Sequence, residues 1–180
     1  ASGAKVLLLT SNDPGSGCAI IAAATARGAK TIDYDRLNTG CRGANYYVSF
    51  HNPTVGKFMG QGVRAAMTAK GLLGAGKKPV IAYLNGGPTD NNSKLFKQGY
   101  ASVLDPLIKS GKATKGPDTG VPQWDNQTAR RIFEQMLVKT KNNIQGVAAA
   151  NDGLANAVVV ALKARKLKPI ALSGQDATEQ

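Results

Sequence analysis

Short apolar runs alternate with longer helical segments along the whole chain, and this alternation is the strongest constraint on the fold. Residues 5–13 (KVLLLTSND) are continuously apolar and end in polar residues, which is typical of a buried parallel strand. Residues 55–73 instead carry apolar side chains at helical spacing. Because strands and helices follow one another in turn, the sequence predicts an α/β fold with a mostly parallel sheet and helices on both faces.

The same patterns predict the remaining elements. Further strands are expected at residues 30–35, 46–50, 79–84, 147–150 and 169–173, and a weak edge strand at 113–122. Further helices are expected at residues 18–27, 92–109, 127–139 and 154–164, with Gly28 as a C-cap and Pro106 bending or ending its helix early.

Acidic side chains recur where predicted strands end. Each has a polar or amide neighbour, and a parallel sheet would bring them to one edge, where such folds bind ligands. Any one of them could be only a helix cap, since Asp and Asn are preferred there. Their recurrence favours a polar binding edge, because carboxylates and amides suit the neighbouring hydroxyls of a sugar. The acids concerned are Asp13, Asp35, Asp90, Asp152 and Asp176.

Trp124 is the only tryptophan, and it follows a loop rich in Gly and Pro. A lone tryptophan is usually part of the core. Since Trp124 is flanked by Asp125 and Asn126, a ring that stacks on a sugar face is the competing interpretation.

Several other functions find little support in the sequence. No apolar run reaches the roughly 18–20 residues of a membrane helix. His51 is the only histidine and has no nucleophile motif around it, so no catalytic residue, no metal site and no cofactor are predicted. Cys18 and Cys41 could form a disulfide in an exported protein or remain two free thiols.

The formal net charge of +12 invites a nucleic-acid interpretation. The cations are spread over several predicted elements without a dense block, and no aromatic residues are interleaved to stack on bases. A solvated basic surface is therefore favoured, and no nucleic-acid partner and no membrane insertion are expected.

Five blocks of sequence together resemble the bacterial sugar-binding proteins of ABC importers, and most closely the xylose-binding branch of the type I periplasmic binding proteins. They cover nearly the whole chain in order. They are IDYDRL (32–37), YYVSFHN (46–52), LNGGPTDNNSKLFKQG (84–99), AANDGLANA (149–157) and SGQDAT (173–178).

The resemblance implies specific sugar contacts. Asp35 and Arg36 would reach the sugar from a first lobe, and Trp124 would stack on it. Asp90, Asn92, Asn151 and Asp176 would contact it from a second lobe. Asn91 and Asp152 would act as caps or supporting groups. His51 stands where the family usually has Asp, at the first crossover, and is expected to affect the hinge more than the sugar.

The resemblance also implies two doubly wound lobes, one nearly complete here and the other partial. Residues 1–52 would be part of the first lobe, residues 53–176 the second lobe, and residues 177–180 the start of the second crossover. Since family members run to roughly 300 residues or more, the chain is expected to be an internal piece that binds sugar weakly or not at all alone.

The function implied is that of a non-enzymatic, periplasmic or otherwise extracytoplasmic solute-binding protein. It would enclose a pentose or hexose by hinge closure and deliver it to an ABC transporter permease. The alternative is a sugar-sensing domain of a transcriptional regulator or signalling receptor, because fold alone does not separate the two.

Overall fold

The computed structural model describes residues 3–74 and 76–179 and divides the chain into two compact units. The first unit comprises residues 1–52 with 89–92, and the second comprises 53–88 with 93–180. The first unit thus joins residues 89–92 to the N-terminal segment that ends at Asn52. The interpretation of these units as parts of two lobes stays a prediction. The segment 177–180 includes Gln180, which lies outside the described residues.

The first unit is built on a parallel three-stranded sheet in the order β1 (Val6–Leu9), β2 (Lys30–Tyr34), β3 (Tyr46–Val48). Helix α1 (Pro14–Thr25) packs against β2, where Thr31 and Asp33 are buried. Because side chains alternate across a strand, the neighbouring residues project from the other face. That face leaves apolar side chains 51–62% exposed: Val6, Leu8, Tyr34, Tyr46 and Val48.

The loop between β2 and β3 is anchored twice in the first unit. Cys18 of α1 forms a disulfide with Cys41, which resolves the alternative left open by the sequence. The buried Asp33 carboxylate accepts hydrogen bonds from the Asn38 backbone N–H (2.9 Å) and the Asn38 side-chain amide (2.6 Å). The loop is therefore held against the sheet through Asn38 and against α1 through Cys41.

The second unit contains a parallel four-stranded sheet in the order β5 (Thr114–Gly120), β4 (Val80–Asn85), β6 (Gly146–Ala149), β7 (Ala171–Ser173). Its strands alternate along the chain with helices. These helices are α2 (Asn52–Ala69), α3 (Asn91–Lys109), α4 (Asn126–Lys139) and α5 (Asp152–Ala164).

Strand β4 shows how both faces of the second sheet are covered. Val80, Ala82 and Leu84 pack with residues of α4 and α5, while Ile81 and Tyr83 pack with residues of α2 and α3. All six residues of β4 are buried, which explains why its first five, VIAYL, form a continuous hydrophobic run. The predicted doubly wound α/β architecture is confirmed.

Two proline-containing segments refine the predicted elements. Pro106 lies inside α3, and the helix continues to Lys109, where the sequence predicts its end; of the two effects expected of this proline, the early end does not occur. Pro106 falls in the last turn, where only three helical residues follow it. The weak strand is β5, and it lies at the sheet edge as predicted. Its register with β4 shifts around Pro117, since a proline without an N–H is tolerated at an edge irregularity.

Candidate functional site

Asp35 is held by its backbone at the carboxyl end of β2. Its N–H donates to the carbonyl oxygen of Val48 (2.8 Å), and its own carbonyl oxygen accepts from Tyr47 Oη (3.3 Å) and Ser49 Oγ (2.9 Å). The residue has φ of 63°, a left-handed conformation that Asp tolerates better than most residues. The backbone is thus fixed while the carboxylate remains 47% exposed.

Arg36 lies beside two carboxylates. Its Nε is 3.3 Å from Asp90 Oδ2 and 3.9 Å from Asp35 Oδ2, and its Nη1 donates to the Ser11 carbonyl oxygen at 3.5 Å. The side chain of Asp90 is only 6% exposed, and the nearby Arg36 guanidinium offsets the cost of burying its carboxylate. The Arg36 side chain is 26% exposed, which leaves part of the guanidinium accessible to a ligand.

Burial raises the pKa of the Asp35 carboxyl above its usual value. The positive charge of Arg36 opposes this shift, and the negative charge of Asp90 adds to it. A ligand hydroxyl that donates to this carboxylate would oppose the rise in pKa, because hydrogen bonding favours the charged form.

Asp90 combines the two roles that the sequence left as alternatives. Its Oδ1 accepts from the backbone N–H of Asn92 (2.9 Å), at the point where α3 begins with Asn91. Its Oδ2 faces Arg36. Asp90 therefore caps the helix and belongs to the charged cluster.

The side-chain amide of Asn92 is buried and forms its hydrogen bonds with other residues of the protein. Its amide nitrogen donates to the Asp35 carbonyl oxygen (3.0 Å) and approaches Asp35 Oδ1 (3.4 Å). Its amide oxygen accepts from Asn52 Nδ2 at 2.9 Å. Since Asn92 and Asn52 are 4% and 2% exposed, their amides chiefly hold Asp35 in place.

Sequence reasoning missed Asn52 as a supporting residue. The one available signal was its position at the end of the YYVSFHN block. Nothing in that block indicated a partner forty residues away, because side-chain pairing across such a distance depends on the tertiary fold.

Trp124 lies in the second unit, in a short 3₁₀ segment (Pro122–Trp124) that follows β5. Its half-buried ring packs against Gly86, where an added Cβ would clash with the six-membered part of the indole. The ring also contacts both hydrophobic clusters of the unit. Much of the ring is therefore core, and only its remaining exposed part is available for stacking.

Asn151 and Asp152 organise the loops that follow β6 and β7. Asn151 Oδ1 accepts from the Leu154 N–H (2.9 Å) and caps α5. The Asp152 N–H donates to the Gln175 carbonyl oxygen (2.9 Å), and its Oδ2 accepts from the Thr178 N–H (3.0 Å). These two bonds hold the backbone on either side of Asp176, which is exposed and has φ of 101°.

The cap interpretation therefore holds for several acids and amides at strand ends. Asp13 and Asp125 cap α1 and α4 by accepting from Ser16 N–H (2.8 Å) and Thr128 N–H (2.7 Å).

The structure places the seven residues predicted to contact sugar in two groups. Asp35, Arg36, Asp90 and Asn92 form one cluster in the first unit. Trp124, Asn151 and Asp176 follow strands β5, β6 and β7 of the second unit.

A second polar network, not expected from the sequence, connects β4 and β5. Asn85 Nδ2 donates to Asp118 Oδ1 (2.7 Å), and Tyr100 Oη donates to Asn85 Oδ1. Lys97 Nζ and Lys115 Nζ lie 2.8 and 3.3 Å from the Asp118 carboxylate oxygens. Burial acts to raise the pKa of Asp118, but the hydrogen bonds from Lys97 and Asn85 and the charge of Lys115 outweigh it and lower that pKa.

Among residues 3–74 and 76–179, no group of three or more His, Cys, Asp or Glu side chains is arranged to hold a metal ion. Within the same ranges, no helix combines the length and apolarity needed to cross a bilayer.

A family model described as the periplasmic binding protein domain matches residues 1–180. The chain belongs to this family. It is 38% identical over 159 residues to the D-xylose-binding periplasmic protein of Haemophilus influenzae, an alignment covering 88% of this chain and 45% of the relative. The predicted resemblance to xylose-binding periplasmic proteins is thus confirmed.

Two solved structures extend the comparison. An ABC transporter solute-binding protein from Clostridium phytofermentans with bound β-D-glucose matches with a TM-score of 0.87 and 26% identity, over 98% of this chain and 56% of that one. A fructose-binding periplasmic domain of a hybrid two-component system matches with a TM-score of 0.80 over 99% of this chain and 55% of that one. At 22% identity, this second likeness supports the fold alone.

The chain spans about half the length of the relatives and structures that it matches. The xylose-binding relative and the glucose-bound structure are both named as binding proteins, in agreement with the prediction that the family role is non-enzymatic.

Proposed function

We propose that the chain is part of the solute-binding component of a carbohydrate ABC importer, located outside the cytoplasm. The solute is a monosaccharide, a pentose such as xylose or a hexose, which is enclosed between two lobes by hinge closure. The closed form then docks on the transporter permease. Support comes from the family match over the whole chain and from the sugar-binding names of the relatives.

The observation that carries the proposal is the cluster of Arg36 with the Asp35 and Asp90 carboxylates. A guanidinium with a neighbouring half-exposed carboxylate offers a donor and an acceptor side by side. Two adjacent hydroxyls of a sugar ring present the complementary pattern. The deeper Asp90 and Asn92 hold these two groups in place, which reduces the ordering cost of binding.

We propose that the second unit contributes Trp124, Asn151 and Asp176. The exposed part of the indole would stack on an apolar sugar face, and the two polar side chains would bond to hydroxyls. The loop bonds from Asp152 to Gln175 and Thr178 would fix Asp176 in the same way that Asn92 fixes Asp35.

Saturation-transfer NMR with D-xylose, D-glucose, D-ribose and L-arabinose tests the proposal, because it detects the weak binding expected of this chain. At least one sugar should give a signal that Arg36→Lys reduces strongly, since Lys cannot reproduce the planar guanidinium fork. Arg42→Lys, a change at an exposed arginine of the same unit, is the matched control and should leave the signal unchanged. Equal loss of signal in both variants, or no loss in Arg36→Lys, would contradict the proposal.

A sugar-sensing receptor domain is the second candidate, because the fold alone does not separate a sensor from an importer component. The gene sequence on either side of this chain separates the two functions. A helix-turn-helix or kinase module would identify a sensor, whereas a signal peptide without such a module would identify an importer component.

A further inference from the structure

The positive charge of the chain is concentrated in the second unit. The first unit carries five cationic and four acidic side chains, whereas the second carries eighteen and seven. The second unit therefore holds eleven of the twelve net positive charges. A surface of this unit, rather than the chain as a whole, accounts for the basic character.

Within the second unit, the cations gather at one edge of the sheet. The four segments that lead from helix C-termini into strands β4, β5, β6 and β7 span residues 70–79, 109–113, 139–145 and 163–170. Together they contain ten lysines and one arginine, all exposed, and no acidic residue. We call these four segments the basic edge. In a parallel sheet it lies opposite the strand ends that carry Trp124, Asn151 and Asp176.

Contacts between the segments show that the basic edge is continuous. Lys70 Nζ donates to the Pro169 carbonyl oxygen (3.4 Å), and Arg165 Nη1 to Asn142 Oδ1 (3.5 Å). The Thr114 N–H, directly after the second segment, donates to the Pro79 carbonyl oxygen (2.9 Å). Residues from the first, third and fourth segments also line a single cleft of about 390 Å³.

Helix stabilisation and ion pairing do not account for the number of cations in the basic edge. Cations stabilise the helix dipole only within the last turn of a helix, and of the eleven only Lys109, Lys139 and Lys163 lie there. Lys77 and Lys78 precede a strand and lie outside any helix. Among the described residues, none of the eleven cations forms an ion pair, so their charge is not neutralised within the protein.

We propose that the basic edge docks the protein peripherally on a membrane surface rich in anionic phospholipids. Lysines are compact, hydrated charges that suit a diffuse negative surface, whereas specific phosphate recognition favours the arginine fork. The basic edge has no aromatic side chain on which bases could stack, which disfavours single-stranded nucleic acid. Because attraction to such a surface acts on each nearby cation, a cluster of eleven suffices without any lipid-inserting residue.

Flotation with vesicles of phosphatidylcholine, alone or with about one third phosphatidylglycerol, tests the proposal. The chain should bind only the anionic vesicles at about 50 mM salt and should be released at about 500 mM, where screening is short-ranged. Changing Lys141, Lys163, Lys166 and Lys168 to Gln should weaken binding roughly 1,000-fold, given the contribution of each cation near an anionic surface.

The matched control carries the same change of net charge elsewhere, at Lys5, Lys57, Arg64 and Lys94, all exposed and outside the basic edge. It should retain binding within a few fold. No binding to anionic vesicles, or equal loss in both variants, would overturn the proposal. Tighter binding to duplex or single-stranded DNA than to vesicles at the same salt would also overturn it and would identify a nucleic-acid surface. Circular dichroism of both variants establishes that they fold.

Discussion

The parallel sheets of the two units differ in how their faces are covered. In the second unit, both faces of the sheet are packed by helices, and Tyr83, Tyr100 and Phe133 are fully buried. In the first unit, one face is covered by α1, and the other leaves Leu8 and Tyr46 59% and 62% exposed. The first unit compensates with local connections, namely a disulfide and a buried polar pair. Stability in the second unit therefore comes from apolar burial, and in the first unit from crosslinks and hydrogen bonds.

The difference predicts that core truncation has its largest effect in the second unit. Phe133→Ala should lower the free energy of unfolding by about 3–5 kcal/mol, because a fully buried ring is replaced by a cavity. Leu8→Ala in the first unit should cost far less, since its side chain is mostly exposed. Urea denaturation of both variants measures the contrast. Equal losses would mean that the exposed face of the first sheet is covered in solution.

The disulfide should matter most for the first unit. Replacing Cys18 and Cys41 by Ala together should lower stability by about 2–4 kcal/mol, since a crosslink over 23 residues restricts the unfolded chain. Hydrogen exchange resolves where the loss occurs: protection should fall in β1 to β3 and remain in β4 to β7. Uniform loss of protection would show that the two units unfold together.

The polar network around Asp118 predicts a pH-dependent contribution in the second unit. The pKa of Asp118 is lower in the folded protein than its usual value, so its contribution is present above the unfolded pKa and is lost as pH falls through the folded value. Asp118→Asn should cost about 1.5–3 kcal/mol at neutral pH, because it removes the charge that bonds to Lys97.

Denaturation of wild type and Asp118→Asn at pH 7 and at pH 3 measures this contribution. The difference between the two proteins should shrink at the lower pH. A difference that stays constant would assign the effect to packing and leave no role for the charge.

The smallest effect is expected at the surface of α4, where Arg130 Nε lies 2.9 Å from Glu134 Oε1. Glu134→Gln should change stability by less than about 0.5 kcal/mol, since exposed pairs at this helical spacing contribute little. Thermal unfolding of this variant sets the baseline against which the larger changes are compared. A loss above about 1 kcal/mol would show that surface charge contributes more to the second unit than its packing implies.

Much of the fold was predictable from the sequence because local patterns determined it. The β4 run is apolar throughout since both of its faces are covered, and Asn151 was recognisable as a polar residue at a strand-to-helix junction. The resemblance also selected Arg36 and Asp90, which the structure brings together. The helix was correctly predicted to end at Lys109, but the sequence left open whether Pro106 bends or shortens it, because helix propensity does not show how a proline is accommodated in the last turn.

Long-range relationships were not predictable. Asn52 and Asn92 are forty residues apart, and Asn85 and Asp118 are thirty-three apart, so no local pattern indicated these bonds. The cations of the basic edge look scattered in sequence because the four segments recur only once per strand–helix repeat. Parallel-sheet topology then places all four at the same edge.

The proposal that Arg36 and Trp124 bind the same monosaccharide is tested most directly by ¹⁵N–¹H correlation NMR of the labelled protein. Adding D-xylose or D-glucose should shift the Arg36 Nε–H and the Trp124 indole N–H signals together, with one dissociation constant in the millimolar range, about −4 kcal/mol or weaker. Arg36→Ala should abolish both shifts. If Trp124 still responds in Arg36→Ala, or if the two signals shift with different dissociation constants, the account is contradicted.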